Sequence, residues 1–176
     1  MLIVPSGLTV IVGGARSGKS ALAVRLGQGF VGAVAFVATA TASDADMAAR
    51  IERHREERPP SWMTIESPLL QANWPQEGLL IVDCMTLWAS NAMFAGTSSI
   101  EAKAADLADE WLRRDGPTIV VSNEVGLGVV PPTELGRQFQ DLLGRINSTL
   151  AGAANHSYFV AAGKVLPLGS VEEVFS

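Results

Sequence analysis

The sequence predicts an α/β fold in which a mostly parallel sheet is covered by helices on both faces. Short apolar runs rich in Val and Ile do not alternate with polar residues, which is typical of strands buried on both faces. Stretches with helical periodicity separate these runs, and this alternation indicates right-handed βαβ units. The predicted strands are residues 8–12, 34–38, 79–82, 118–121 and 158–162.

Four helices are predicted between these strands, at residues 20–28, 44–58, 99–114 and 133–151. We expect Ser43 to cap the second helix and Pro59 and Pro60 to end it. The fourth helix follows Pro132 and carries a continuous apolar stripe that suits packing against a sheet. No repeat or linker divides the chain, so we expect a single domain over residues 1–176.

Composition excludes several functional classes. The chain has 176 residues, 48% of them hydrophobic, and a net charge of −5, which argues against general nucleic-acid binding. Cys84 is the only cysteine, so no internal disulfide is possible, which fits a reducing compartment. No basic residue precedes Arg16, and glycines and hydroxyl residues interrupt the uncharged stretch 26–43. We therefore expect a cytoplasmic protein without a signal peptide or membrane span.

The strongest motif is a phosphate-binding loop. Residues 13–20 match the pattern G-x-x-x-x-G-K-[ST], with a predicted strand before it and a predicted helix after it. In such a loop the backbone N–H groups surround a phosphate, assisted by the helix N-terminus. We expect Lys19 to reach the β and γ phosphates and the Ser20 hydroxyl to bind Mg²⁺. The alternative is a chance match in a glycine-bearing turn.

A second metal-binding group is expected at Asp83. This aspartate follows four apolar residues, at the carboxyl end of a predicted strand. Ligands bind at that edge in open α/β sheets, and a P-loop nucleotide site needs such a Walker-B carboxylate for its metal. The alternative is a strand-terminal turn residue.

The segment 50–58 is rich in arginine and contains His54. On a helix, Arg50, His54 and Arg58 are spaced i, i+4, i+8 and share one face. The positive charges are expected to lower the pKa of His54 and keep its imidazole neutral and nucleophilic, and arginines are also able to hold a polyphosphate. The alternative is a solvated helix whose glutamates pair with the arginines.

Residues 123–132 follow a predicted strand and contain two polar residues, two glycines and two prolines. This composition favours a shaped binding loop at the carboxyl end of the sheet. A plain connection between two elements is equally compatible with the spacing.

Together and in order, these segments resemble the bifunctional adenosylcobinamide kinase / adenosylcobinamide-phosphate guanylyltransferase family of cobalamin biosynthesis. The resemblance runs from Thr9 to roughly Leu168. Besides the P-loop, it rests on Ala38-Thr39-Ala40, residues 47–51 with His54, Arg58-Pro59 with Trp62, residues 83–88 with Asn91, residues 122–126, Val130-Pro131, Gly136-Arg137, Phe139, Asp141, Gly144-Arg145 and Asn147.

The resemblance implies a RecA-like P-loop NTPase fold and two reactions. In the first reaction, a nucleoside triphosphate phosphorylates the aminopropanol hydroxyl of adenosylcobinamide. In the second, GTP transfers GMP to a histidine with release of pyrophosphate, and adenosylcobinamide phosphate then accepts the GMP. His54 matches the histidine that carries the nucleotide, which is covalent catalysis by an activated nucleophile. His156 precedes a strand and has no arginine nearby, so we interpret it as structural.

The resemblance also implies Mg²⁺ as cofactor, GTP and ATP as substrates, and a homo-oligomer, with a trimer as the expected form. Glu66 is expected to accept hydrogen bonds from guanine, or else to contact only the ribose. The implied nucleotide contacts are Gly13, Gly14, Ala15, Arg16, Ser17, Gly18, Lys19, Ser20, Ala38, Thr39, Ala40, Arg55, Glu56, Glu57, Arg58, Glu66 and Asp83.

Two other functions remain open at this stage. A small-molecule kinase without nucleotidyl transfer would leave His54 as a surface residue. A nucleotide-dependent switch would hydrolyse slowly and bind a protein partner. The sequence does not decide whether ATP or GTP supplies the kinase step.

Overall fold

The structure is a computed structural model that describes residues 2–42, 44–71 and 73–176. The strands are β1 (Leu8–Gly13), β2 (Val34–Ala38), β3 (Met63–Glu66), β4 (Leu79–Asp83), β5 (Thr118–Asn123), β6 (His156–Ala161) and β7 (Lys164–Leu168). The helices are α1 (Lys19–Gln28), α2 (Ala45–Glu56), α3 (Met85–Phe94), α4 (Ile100–Leu112), α5 (Glu134–Ala153) and α6 (Val171–Phe175).

One seven-stranded sheet has the order β3-β2-β4-β5-β1-β6-β7. Neighbouring strands are parallel except for β6 and β7, which form an antiparallel pair. The mostly parallel sheet predicted from the apolar runs is therefore confirmed. Strand β3 and helices α3 and α6 were not predicted as elements.

Apolar cores form on both faces of this sheet. On one face, Ala23 and Val24 of α1 pack with Ile81 and Ile119 of the sheet. The opposite face is covered by α3, α4 and α5. Two tryptophans of that face are almost fully buried, namely Trp88 and Trp111. Burying large apolar side chains like these contributes roughly 1.5–3 kcal/mol each, so both helical layers hold the sheet in place.

The sheet brings three strand ends together where the predicted site lies. Strand β5 lies between β1 and β4, and its last residue, Asn123, is in register with Gly13 at the end of β1. Asp83 ends β4 and is in register with Val121 of β5. The P-loop and the carboxylate of Asp83 consequently share the carboxyl edge of the sheet, as expected of a parallel arrangement.

The predicted bounds of α2 are corrected at both ends. The helix begins at Ala45, with Asp44 as its N-cap, since the Met47 backbone N–H donates to Asp44 Oδ1 at 2.7 Å. The predicted cap, Ser43, lies outside the described residues. The helix ends at Glu56, so Arg58 lies beyond it and is not part of a continuous helical row of cations.

Two smaller observations complete the fold. His156, predicted to precede a strand, is the first residue of β6. Within the described part of the chain, no helix combines the length and apolar character needed to cross a membrane.

Candidate nucleotide-binding site

The P-loop has the strand–loop–helix geometry that its motif predicts. Gly13 has φ +154°, and a Cβ there would lie 2.2 Å from the Val160 carbonyl oxygen, so the position requires glycine. Gly18, at φ +103°, is the N-cap of α1. The N-terminus of α1 therefore adjoins the loop and adds the partial positive charge that favours a phosphate.

Lys19 is buried within this loop. Only 5% of its surface is exposed, and its Nζ donates to the Gly14 carbonyl oxygen at 2.6 Å. Nζ also lies 3.4 Å from Ser17 Oγ. The ammonium group is thus held inside the curve of the loop, where a bound phosphate would face it.

Ser20 and Asp83, the two predicted metal ligands, are brought together by the fold. Burial raises the pKa of Asp83, and a hydrogen bond from the Ser20 side chain lowers it, as do the nearby His54, Lys19 and Arg58. A positive charge from a metal would offset the cost of keeping this carboxylate ionised.

This oxygen donor pair fits Mg²⁺. Among the residues that the structure describes, no three His, Cys, Asp or Glu side chains form a metal-binding group. Mg²⁺ is commonly held by one or two protein oxygens together with phosphate oxygens and water, so a serine hydroxyl with one carboxylate is a suitable set.

Two cavities meet at the P-loop. An outer cleft of about 910 Å³ is lined by P-loop residues and by one side of α2. A smaller inner pocket of about 90 Å³ lies toward Phe36 and Asp83. Four residues line both cavities, namely Ser20, Met47, His54 and Asn123. The two cavities therefore form one continuous candidate site with His54 at the junction.

Helix α2 places His54 at this junction. Met47 and Ile51, which precede it by seven and three residues, line the inner pocket on the same helical face. The Arg58 Nε–H donates to the His54 carbonyl oxygen at 2.8 Å, which fixes the end of the helix. The imidazole is partly buried and close enough to influence the Asp83 carboxylate.

Arg58 is the one arginine among the described residues that line the inner pocket. Its side chain is 8% exposed, and Cζ lies 4.3 Å from the centroid of the Phe36 ring, a cation–π contact. Burial and the neighbouring Arg55 lower the pKa of Arg58. Its Nη1 has no hydrogen-bond partner among the described residues. Because a buried donor normally has a partner, this atom is one that a ligand acceptor in the pocket would satisfy.

Cys84 also lines the inner pocket, but its thiol is not activated. Burial, together with the charge of Asp83, raises the pKa of Cys84 to about 11. A thiol with this pKa is protonated at neutral pH, and only the thiolate is an effective nucleophile.

The structure brings most of the predicted nucleotide contacts to these cavities. The outer cleft contains Glu57 and the P-loop residues Ala15, Arg16, Ser17, Gly18, Lys19 and Ser20. The inner pocket contains Ala38, Ala40, Arg58 and Asp83. Gly13 and Gly14 line neither cavity and act by shaping the loop backbone.

Four predicted contacts lie elsewhere. Thr39 is buried, and its hydroxyl both donates to the Cys84 carbonyl oxygen at 2.7 Å and accepts from the Cys84 N–H at 2.8 Å. Arg55 forms an exposed ion pair with Glu66 at 2.6 Å. Glu56 is exposed and lines neither cavity. Thr39 therefore supports the site through Cys84, which lines the inner pocket. The other three residues are exposed and line neither cavity.

Some lining residues were not singled out from the sequence. Arg53 lines the outer cleft, and Phe36 and Leu87 line the inner pocket. The i, i+4 spacing of Arg53 and Glu57, the C-cap residue of α2, is the signal that would have indicated Arg53. No local pattern marks Phe36 or Leu87, because each lies in an apolar segment.

Asn123 supports the interpretation of residues 123–132 as a binding loop. Its backbone N–H donates to Thr86 Oγ1 at 2.7 Å, and its carbonyl oxygen accepts from Asn147 Nδ2 at 2.9 Å. These two bonds hold the start of the loop at the cavity wall.

Comparison with known proteins identifies relatives over nearly the whole chain. The family model described as cobinamide kinase / cobinamide phosphate guanyltransferase (CobU) matches residues 9–168. The bifunctional adenosylcobalamin biosynthesis protein CobP of Pseudomonas aeruginosa is 41% identical over 165 residues, covering 90% of this chain and 95% of the relative. The protein CobU of Escherichia coli is 35% identical over 175 residues, covering 89% and 96%.

Two solved structures share the fold at low sequence identity. An ATPase from the type III secretion system of pathogenic bacteria matches with a TM-score of 0.58 and 12% identity, covering 96% of this chain and 60% of that one. The RadB recombinase matches with a TM-score of 0.52 and 18% identity, covering 89% and 75%. The predicted RecA-like P-loop fold is thereby confirmed.

Proposed function

This chain belongs to the cobinamide kinase / cobinamide phosphate guanyltransferase family, and on that premise we propose how its own residues carry out both reactions. Membership makes the chain an enzyme of cobalamin biosynthesis with kinase and guanylyltransferase activity. The finer assignments concern the nucleophile, the metal ligands and the nucleotide contacts.

In the kinase reaction, the aminopropanol hydroxyl of adenosylcobinamide attacks the γ-phosphorus of a nucleoside triphosphate. The bond from this phosphorus to the β–γ bridging oxygen breaks, the nucleoside diphosphate leaves, and the hydroxyl proton passes to solvent. Lys19 and the α1 N-terminus stabilise the charge that develops on the phosphate oxygens. Asn123, at the wall of both cavities, is suited to orient the attacking hydroxyl.

In the transferase reaction, an imidazole nitrogen of His54 attacks the α-phosphorus of GTP and pyrophosphate leaves. The phosphate of adenosylcobinamide phosphate then attacks the same phosphorus, the phosphorus–nitrogen bond breaks, and adenosylcobinamide-GDP leaves with His54 restored. Dividing one difficult displacement into two is the advantage of a covalent nucleophile.

The position of His54 is the observation that carries this proposal. It is the one histidine at the junction of the P-loop cleft and the inner pocket among the described residues. The other nucleophile lining the pocket, Cys84, has a pKa of about 11 and does not compete at neutral pH. The unpartnered Nη1 of Arg58 supplies a donor to the nucleotide beside His54.

Ser20 and Asp83 would hold Mg²⁺ between them in this proposal. When bound, the ion would neutralise phosphate charge and help the leaving group to depart. The Ser20 hydroxyl and the surrounding cations favour the ionised form of Asp83, because each of them lowers the pKa of this carboxyl group.

We further infer that the protein is a cytoplasmic homo-oligomer, with a trimer as the form that the family resemblance favours. Exposed apolar side chains of the C-terminal segment support association, including Leu166 at 59% and Phe175 at 83% exposure. The mass of the purified protein in solution tests this inference.

Two assays distinguish the bifunctional enzyme from its alternatives. With adenosylcobinamide and γ-labelled triphosphate, the enzyme is expected to transfer label to the corrinoid. With adenosylcobinamide phosphate and GTP, it is expected to release pyrophosphate. Corrinoid labelling without pyrophosphate release would indicate a kinase alone, and neither product would indicate a nucleotide switch.

A further inference from the structure

A third cavity lies beside the nucleotide site and has no assigned ligand. It is an open groove of about 730 Å³ between α5, α4 and the segment that follows β5. Helix α5 contributes Gln140, Gly144, Arg145 and Ser148, whose spacing places them on one helical face. The groove is within the size range of ligand sites in proteins, roughly 300–1,000 Å³.

The groove begins next to the P-loop. The Glu124 backbone N–H donates to the Gly13 carbonyl oxygen at 2.9 Å, so the start of the loop adjoins the end of β1. Gly126, which lines the groove, follows Asn123 by three residues, a span of at most about 11 Å. A ligand in the groove is therefore close enough to extend one arm to the bound nucleotide.

The segment over the groove exposes apolar side chains. Leu127 is 77% exposed, Val129 is 94% exposed and Val130 is 68% exposed. Of these three side chains, Val130 lines the groove, and exposed apolar surface of this kind is typical of a binding site. The glycines at positions 126, 128 and 144 leave open surface between these side chains and α5.

The same segment is held at both ends by α5. Gln140 Nε2 donates to the Val125 carbonyl oxygen at 3.0 Å. Arg137 Nη1 donates to the carbonyl oxygens of Pro131 and Pro132 at 3.1 and 3.0 Å. The exposed apolar residues are thus presented on a tethered support, which reduces the entropy lost when a ligand binds.

Polar groups complete the opposite wall. Arg145 Nε donates to Glu101 Oε1 at 2.7 Å, which fixes the guanidinium across α4 and α5. Gln140, Asp141 and Ser148 add an amide, a carboxylate and a hydroxyl. This combination of donors and acceptors suits a ligand that carries amide side arms around an apolar body.

We propose that this groove binds the corrin macrocycle of cobinamide while the aminopropanol arm reaches the nucleotide at the P-loop. The assignment rests on the proposed function, which requires a bulky corrinoid to approach the γ-phosphate. Val130 contacts the apolar part of the macrocycle, and the α5 side chains pair with its amide arms.

Gly144 offers a sharp test with a matched control on the same helix. A Cβ at Gly144 or at Gly152 would have no atom within 4 Å, so α5 accommodates a large side chain at either position. Gly144→Trp fills the groove, whereas Gly152 does not line it. We expect G144W to raise the KM for cobinamide by at least about tenfold and to leave the KM for GTP unchanged. G152W is expected to leave both unchanged.

A second pair keeps the proposal testable if G144W does not fold. Val130→Asp places a charge in the groove, and Val31→Asp places one at another exposed apolar site, which precedes β2 and does not line the groove. V130D is expected to weaken cobinamide binding in equilibrium dialysis by a similar factor, and V31D is not.

Three results would overturn the assignment. Equal KM values for cobinamide in G144W and G152W would exclude the groove as the corrinoid site. A change in the mass of the assembly with unchanged cobinamide binding would assign the groove to a subunit contact. A wild-type protein that neither binds nor phosphorylates cobinamide would overturn the proposed function as well, which separates the two failures.

Discussion

The guanidinium of Arg58 lies 4.3 Å from the centroid of the Phe36 ring, with its Nε–H donated to the His54 carbonyl oxygen. This arrangement joins the segment after α2 to β2, and Nη1 is buried without a partner among the described residues. One buried cation therefore holds the histidine-bearing helix in position, and in the proposed function it also donates a hydrogen bond to the nucleotide.

Replacing Arg58 with lysine is expected to weaken GTP binding about tenfold or more. Lysine lacks the planar fork that donates from Nε to His54 while Nη1 serves the ligand, and it stacks less well on an aromatic ring. Isothermal titration with GTP measures the change. Arg113→Lys is the control, because Arg113 is three-quarters exposed on the surface. Unchanged affinity in R58K would remove Arg58 from the nucleotide site.

Lys19→Ala is expected to abolish both activities and leave the fold intact. The ammonium group lies inside the P-loop, and losing one such electrostatic contact typically lowers turnover by about 10²–10³. Steady-state assays of phosphorylation and of pyrophosphate release measure the effect, with Lys103→Ala on the exposed side of α4 as control. Turnover like that of the wild type in K19A would exclude the P-loop from the mechanism.

Asp83→Asn is expected to reduce Mg²⁺-dependent turnover more than it reduces nucleotide binding. The amide keeps the shape of the side chain but removes the charge that binds the metal. A titration of activity against Mg²⁺ concentration, combined with nucleotide affinity, separates the two effects. An unchanged Mg²⁺ dependence would assign Asp83 to a structural turn.

The same variant has an expected effect on stability. Burial raises the pKa of Asp83 above the value of an unfolded aspartate, so this group stabilises the fold most when it is protonated. That contribution is fully present below the unfolded pKa and is lost as pH rises through the folded pKa. At pH 7 without metal, D83N is therefore expected to be at least as stable as the wild type in urea denaturation. A clearly lower midpoint would contradict this electrostatic assignment.

Glu66→Gln tests which part of the nucleotide this residue contacts. If Glu66 accepts hydrogen bonds from guanine, the variant loses affinity for GTP and not for ATP. If it contacts ribose, both affinities fall equally. In the structure Glu66 pairs with Arg55 at 2.6 Å, so Arg55→Lys is measured in parallel to reveal any effect through that ion pair. Unchanged affinities for both nucleotides in E66Q would leave Glu66 outside the site.

Much of the fold was predictable because its central strands are buried runs of apolar residues. Strands β1, β2, β4 and β5 begin at the predicted residues, and each run is long enough to stand out. Strand β3 was not predicted because it lies at the sheet edge, where all four of its residues are exposed or only partly buried. Helix α3 was not predicted because it is apolar around most of its surface and shows no amphipathic period.

The candidate site was predictable where chemistry and spacing coincide. The P-loop pattern and the strand-terminal Asp83 identified two walls of the site from the sequence alone. The packing of Arg58 on Phe36 was not predictable, because it joins residues 22 positions apart through a turn that follows the end of α2. The pairing of Arg55 with Glu66 likewise depends on tertiary contact between α2 and β3.

Attachment of labelled GMP to His54 is the most direct measurement of the proposed mechanism. The wild-type protein is incubated with α-labelled GTP, and the bound label is tested for the acid lability expected of a phosphorus–nitrogen bond. His54→Asn is expected to remove the label while phosphorylation of adenosylcobinamide continues, and His156→Asn, on β6, is expected to change neither. Label that persists in H54N, or that maps to His156, would contradict the assignment of His54 as the nucleophile.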